Sequence, residues 1–296
     1  MPYLPVLLGL ATAVCWGTSD YLSRSQSKRV GYYNTVVYMH VTSFLILLVL
    51  VPILTPSASL TLPAALALFA AGALNFLAFV NLYRAFHTGV VSVVAPVAYT
   101  YPVVTAIMSV LLLGVVLAPM RIVLIGCVIA GVLLLSTRFS ELRGRRQGGG
   151  LPSLTAGVAP AVVASVLFGV AYVGIAYATP VAGYVLPVAL LRGVGTVIGI
   201  SASPVLGESI KPTRASFSRV MLAMGALEAA GFVVFNYALS LGSDSLPVIA
   251  AISGMGGAVA ALYALIFLKE RLETNQALGL MLAVAGVFAL LYLGGQ

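Results

Sequence analysis

The sequence predicts an all-α integral membrane protein of ten transmembrane helices, arranged as two inverted five-helix repeats. Three observations predict it. Of 296 residues, 61% are apolar and only 7% are charged, with a mean hydropathy of +1.12. Apolar runs long enough to cross a bilayer follow one another along the whole chain. The second half of the chain also repeats the first. Soluble domains carry ~25% charged residues, so this composition excludes one, and it excludes a disordered chain as well. At ~20 residues per span, ten spans leave no room for an extramembrane domain.

Polar, proline and glycine punctuation sets the limits of the runs. Spans are expected at 4–23, 32–54, 63–86, 91–113, 120–138, 154–178, 183–204, 218–241, 245–267 and 274–293. The runs are continuously apolar, whereas the strands of a membrane barrel alternate, so helices are expected. The first run has no cation before Arg24 and reads as a span rather than a cleaved signal. Cys15 and Cys127 lie within apolar runs, which excludes a disulfide framework.

Thirteen of the fifteen cations fall on one face of a ten-helix zigzag. Arg24, Lys28 and Arg29 follow the first span and Arg84 ends the third. Arg138, Arg143, Arg145 and Arg146 follow the fifth, Lys211, Arg214 and Arg219 precede the eighth, and Lys269 and Arg271 follow the ninth. Only Arg121 lies on the other face, and Arg192 lies inside a span. Cytoplasmic loops concentrate Lys and Arg. The basic face is therefore expected in the cytoplasm, with both termini on the far side of a bacterial inner (plasma) membrane. The net charge of +8 is a topology signal. Membrane lipid is the expected neighbour and nucleic acid is not.

The duplication is read from glycines in register. A shift of 153 residues lays Gly72–Gly89 over Gly225–Gly242, with identities at Gly72, Ala73, Leu74, Phe79, Val80, Ala85 and Gly89. Ala130-Gly131-Val132 matches Ala285-Gly286-Val287. Five spans per repeat is an odd number, so the repeats must lie in opposite orientation. The charges agree: the basic loop after the first span has an uncharged counterpart after the sixth, and the basic loop after the seventh has an uncharged counterpart after the second. The expected units are a first repeat over 1–138, a basic, glycine-rich linker over 139–153, and a second repeat over 154–296. Inverted repeats of this kind place a substrate site near the bilayer midplane between the halves.

Trp16-Gly17 in the first span, Pro102 in the fourth, and Leu268-Lys269-Glu270-Arg271-Leu272 closing the ninth carry a family resemblance. The chain resembles the drug/metabolite transporter (DMT) superfamily, EamA type, and most closely its YddG-like amino-acid exporters. The 268–272 segment is similar to the family's Leu-Gly-Glu-x-Leu signature. The first repeat departs from that signature, with Leu113-Gly114-Val115-Val116-Leu117 lacking the acid. The resemblance implies transport of a small-molecule substrate by alternating access, without a cofactor.

Ionisable groups inside spans are costly, and are usually functional or paired. Glu228, in the eighth span, is the repeat partner of Asn75, and Arg192 in the seventh lies at similar depth. Three readings stand open: an ion pair, a site that opens to receive a zwitterion, or a proton carrier at Glu228. Asp20 and Arg24 stand at i,i+4, a spacing that favours a local pair. Trp16, the sole tryptophan, is either an interface anchor or a cavity wall. Tyr83, Tyr99, Tyr101 and Tyr237, with Asn75, Asn81 and Asn236, can line a cavity for a small polar molecule or bond between helices. His40 and His87 are either pH-sensing or neutral and satisfied.

The candidate substrate-binding set is therefore Trp16, Asn75, Tyr83, Tyr99, Tyr101, Arg192, Glu228, Asn236 and Tyr237. Gly9, Ala13 and Gly17 form a small-residue ridge for close helix contact. Pro96 and Pro102 interrupt the fourth span, and Gly254, Gly256 and Gly257 interrupt the ninth at the matching place, which marks them as hinges.

An enzyme would need paired carboxylates, a metal cluster or an activated nucleophile, and none can be read here. There is no phosphate-binding loop, and two histidines 47 positions apart make no metal motif. Neither metal nor cofactor is expected. The sequence reads as a monomeric exporter of small metabolites, amino acids in first place, including aromatic and other neutral ones. A proton-coupled drug/metabolite exporter and a channel are the alternatives.

Overall fold

The computed structural model describes residues 4–55, 59–89, 97–137, 139–140, 157–210, 212–242, 246–268 and 273–293. Its helices are α1 (Leu4–Val30), α2 (Tyr32–Leu54), α3 (Leu62–Thr88), α4 (Tyr101–Leu113), α5 (Pro119–Ser136), α6 (Val158–Ala182), α7 (Leu186–Ala202), α8 (Arg219–Ser240), α9 (Leu246–Ser253), α10 (Gly256–Leu268) and α11 (Thr274–Leu293). Together α9 and α10 make the ninth of ten spans. Among the described residues there is no strand. By length and composition alone, α2, α3, α6 and α8 suffice to cross a bilayer.

The punctuation acts as its chemistry requires. Proline stands in the first turn of α3, α4, α5 and α7, where its missing N–H costs nothing. The Thr61 side chain caps α3 and that of Ser218 caps α8. Gly31 separates α1 from α2 at φ 85°, a left-handed conformation that glycine adopts at least cost. The first span runs on to Val30, seven residues beyond its expected end, because apolar content marks the bilayer and not the helix terminus.

Contacts at the helix ends fix the two faces. Gln26 Nε2 donates to Ala215 O and to Ser218 Oγ, the latter at 2.8 Å. Asn34 Nδ2 donates to Ser209 O at 3.2 Å, and Asn275 Nδ2 to Thr137 O at 2.8 Å. Gly157 rests on the backbone of Ala85 and Gly89. These contacts gather Arg24, Lys28, Arg29, Arg84, Arg214 and Arg219 at one end of the bundle. The other seven cations of the expected basic face (Arg138, Arg143, Arg145, Arg146, Lys211, Lys269 and Arg271) lie outside the described residues, as do Pro96 and nearly all of the 139–153 linker. At the opposite end Ser59 Oγ donates to Val181 O at 3.2 Å, and Thr55 packs on Gly183.

Hence α1 ends at the basic face where α6 begins, and α2 leaves that face while α7 returns to it. The halves are inverted. Their glycines confirm the exchange: Gly72 of α3 packs on Val194 of α7, and its repeat partner Gly225 of α8 packs on Thr42 of α2. Large apolar side chains such as Leu45, Leu48, Leu66, Phe69, Leu111 and Phe288 face outward, as a bilayer solvent requires. Polar and aromatic groups turn inward.

Candidate functional site

Both interrupted spans break at the centre of the bundle. In the first half a turn at Tyr99-Thr100 precedes α4, and in the second a turn at Gly254-Met255 separates α9 from α10. The two breaks face each other. Pro102 lies where a Cβ on Gly254 would stand 2.9 Å from its Cγ, and the Tyr99 ring lies directly on Gly257. The Tyr101 and Ser253 hydroxyls bond at 3.2 Å. The glycine ridge of α1 seats against the same break, with a Cβ on Gly17 standing 2.6 Å from Val259 Cβ and one on Gly9 3.1 Å from Ile252. Absent side chains thus let three helices meet backbone to backbone.

Beside the breaks lies a narrow cavity with about 30 Å³ of room. That is room for a water molecule or two, well below the ~300–1,000 Å³ of small-molecule sites, so a substrate requires the walls to part. Trp16, Phe79, Tyr99, Tyr101, Phe168 and Tyr172 make most of its wall, and Asp20, Glu228, Ser253 and Gly256 supply its polar and backbone surface. The aromatics hold one another. Trp16 stacks on Tyr172 with ring centroids 5.6 Å apart and 13° between planes, and it meets Phe232 and Phe235 at 4.8 and 5.4 Å. Phe79 stands edge-on to Phe168 at 4.9 Å. Each such pair adds ~0.5–1.5 kcal/mol beyond its buried area. Trp16 Nε1 is buried and without a partner.

Asp20 corrects the sequence reading. Its side chain faces the cavity, where Oδ2 accepts a hydrogen bond of 2.7 Å from the Tyr99 hydroxyl, while Arg24 acts on it as a nearby charge without a contact ion pair. Oδ1 is buried and has no partner. An i,i+4 spacing brings two side chains onto one face but cannot say what that face meets, and here it meets the turn before α4.

Behind the cavity four buried polar side chains form a pseudo-symmetric quartet. Arg192 Nη2 donates to Glu228 Oε2 at 2.7 Å with both side chains essentially inaccessible to solvent. His40 Nδ1 lies 2.9 Å from Val36 O, a carbonyl that only accepts, so this nitrogen carries the proton. His40 Nε2 then accepts from Arg192 Nη1 at 3.1 Å. Asn75 lies buried beside His40, its amide oxygen and nitrogen both without a hydrogen-bond partner of good geometry. His40 and Arg192 are 152 residues apart and Asn75 and Glu228 are 153 apart, so each half contributes one residue from its second span and one from its third. The Arg192 guanidinium is held between the Phe232 and Phe79 rings, at 4.5 and 5.1 Å, a contact that gains strength when desolvated. Glu228 also reaches the cavity wall, while Arg192 does not.

The other candidates separate clearly. Trp16, Tyr99, Tyr101 and Glu228 line the cavity, and Arg192 and Asn75 stand behind it. Tyr83 is buried beside Phe79, its hydroxyl 3.5 Å from Met39 Sδ. Asn236 ties helices together, accepting from Thr179 at 2.8 Å and donating to Tyr184 O at 3.0 Å. Tyr237 lies outside the cavity, 39% exposed and edge-on to Tyr184. Sequence reasoning missed Phe79, Phe168, Tyr172 and Phe232. One signal was present: Phe168-Gly169 repeats Trp16-Gly17 at a shift of 152. Gly169 packs on Val104 just as Gly17 packs on Val259. Among the described residues no group of His, Cys, Asp or Glu could hold a metal ion.

Residues 4–137 match the model of the EamA-like transporter family. A solved chain titled "Crystal structure of protein" superposes with a TM-score of 0.76 over 98% of this chain and 96% of its own, at 17% identity, a likeness of fold. No curated protein matches the sequence.

Proposed function

Since residues 4–137 match the EamA-like transporter family, we propose that the chain is a transporter of the DMT superfamily that exports small amphiphilic metabolites, amino acids in first place, by alternating access between its inverted repeats. The bilayer is a bacterial inner membrane, with the basic face in the cytoplasm and both termini outside. The observation that carries the reading is the cavity at the meeting of the two broken spans. An aromatic wall suits an apolar or aromatic side chain. The N-termini of α4 and α10 open beside it, and half-helix N-termini favour a carboxylate. Asp20 offers an acceptor for an ammonium group.

In this mechanism Pro102, Gly254, Gly256 and Gly257 are the hinges. The breaks let one half of each interrupted span tilt while the other stays packed, opening the cavity to one face at a time. The Arg192–Glu228–His40 group is a fixed strut behind it.

Counterflow into proteoliposomes of the purified full chain tests the proposal. Liposomes loaded with unlabelled amino acids should accumulate labelled phenylalanine or another neutral amino acid, with saturation. Flux that rises linearly with concentration would indicate a channel. Failure across the whole amino-acid panel, with exchange of other organic solutes, would move the assignment to a broader metabolite exporter.

A further inference from the structure

The cavity and its back wall contain two buried carboxyl groups, Asp20 and Glu228, and one buried cation, Arg192. The cation's charge is met by Glu228, although its Nε–H is buried without a hydrogen-bond partner. Its Nη2 is on Glu228 and its Nη1 on His40, and aromatic rings lie close to its plane. Asp20 therefore stands without a contact ion pair in a low-dielectric cavity, where a poorly paired charge is costly. One of its oxygens is satisfied by Tyr99, and the other is buried and bare. Around it stand Arg24 one turn along α1, Tyr99 and Tyr101 at the first break, Tyr83 of α3, Tyr172 of α6 and Glu228 of α8. Of these only Arg24 is a cation. It is half-buried toward the basic face and makes no ion pair with Asp20 among the described residues.

Water can donate to that bare oxygen, but only two kinds of partner also answer its charge. One is a proton and the other is a cationic N–H group brought by a substrate. The aromatic walls around Asp20 favour the second as well, because ring faces attract an ammonium.

We propose that Asp20 is the cation subsite of the cavity, where a proton and the ammonium group of a substrate exclude one another. As the ammonium arrives, the carboxyl O–H bond breaks, the proton passes to water on the open side, and an N–H donor takes its place at Oδ1. The charge of the site is the same before and after. The substrate class is primary amines and zwitterions that carry an aromatic or apolar body. Export of such a molecule is then tied to proton entry. The proposal rests on the transporter reading above and deepens it.

The test uses the purified full-length chain in detergent. Trp16, the only tryptophan, lies in the cavity wall and reports occupancy by its emission. Phenethylammonium is the probe, since it has the ring and the cation but no carboxylate. With one proton released per cation bound, the apparent Kd should fall about tenfold per pH unit on the acid limb of the titration. A pH indicator in weak buffer should record that proton. Asp20→Asn should abolish proton release and flatten the pH profile, and Asp20→Glu should restore both, which separates the role from a folding defect. Release that persists in Asp20→Asn would overturn the proposal. So would a wild-type chain that does not bind phenethylammonium, or binds it without proton release, even where phenylalanine counterflow succeeds. Loss of counterflow itself would strike the transporter reading instead.

Discussion

Tyr101 and Ser253 meet hydroxyl to hydroxyl at 3.2 Å, joining the first residue of α4 to the last of α9. The bond crosses from one repeat to the other at the point where both interrupted spans lose their helical ladder. On the proposed alternating-access mechanism, it ties together two breaks that move relative to each other as the cavity changes sides. A single neutral bond, worth ~0.5–1.5 kcal/mol, holds that junction without locking it.

The hinges make the first prediction. Gly256→Ala with Gly257→Ala adds a methyl against Gly17 and another into the Tyr99 ring. Exchange in proteoliposomes should slow more than Trp16-detected binding weakens, because a stiffer junction opposes the conformational step. Equal losses in both would assign the two glycines to packing.

Removing one member of the Arg192–Glu228 pair strands the other in the bundle. Glu228→Gln and Arg192→Gln should each cost ~3–5 kcal/mol, as for a buried pair that loses a partner. The double variant should recover a large part. Thermal unfolding of the four proteins in one detergent measures this. Singles as stable as wild type would show that the pair is not a strut.

Helix contact gives a third prediction. Gly17→Val drives a side chain into the Gly256 carbonyl and Val259, and should lower stability by ~1–3 kcal/mol or more, as overpacking does. Gly126→Ala in α5 meets nothing within 4 Å and should show no loss. Comparing the melting of the two variants distinguishes close approach from a general intolerance of alanine or valine for glycine.

Orientation is tested with single cysteines in a chain whose Cys15 and Cys127 are replaced by alanine. Cysteine at Ser59, on the uncharged face, should react with a membrane-impermeant thiol reagent in intact cells. Cysteine at Lys28, on the basic face, should stay protected until the membrane is opened. The reverse pattern would invert the assigned topology.

The ten spans were legible because hydrocarbon thickness imposes a length that composition alone reveals. Glu228 and Arg192 were legible as neighbours because charges at equal depth in an apolar medium have few other places to go. Asp20 was not: its sequence neighbour Arg24 offered a local partner, and only the rotation of α1 decides between that partner and Tyr99, 79 residues away. Phe79, Phe168, Tyr172 and Phe232 were hidden for a different reason. An aromatic side chain within an apolar run has no contrast with its surroundings, so facing a cavity and facing lipid look alike. Tyr237 misled in the opposite sense, since equivalence to Arg84 in the repeat fixes its depth but not the direction in which it points.

The repeats match in backbone but not in chemistry. Where the second half sets Arg192 against Glu228, the first sets His40 beside Asn75, and where the first half sends Asp20 into the cavity, the second sends Tyr172. A chain of two identical inverted halves would find its inward- and outward-facing forms equal in energy, each the mirror of the other in the membrane. Unequal halves lift that degeneracy. A difference of ~1.4 kcal/mol between the two forms already sets their populations ten to one. On the proposed mechanism, the divergence of a few side chains between the halves would therefore give the protein a preferred resting side of the membrane.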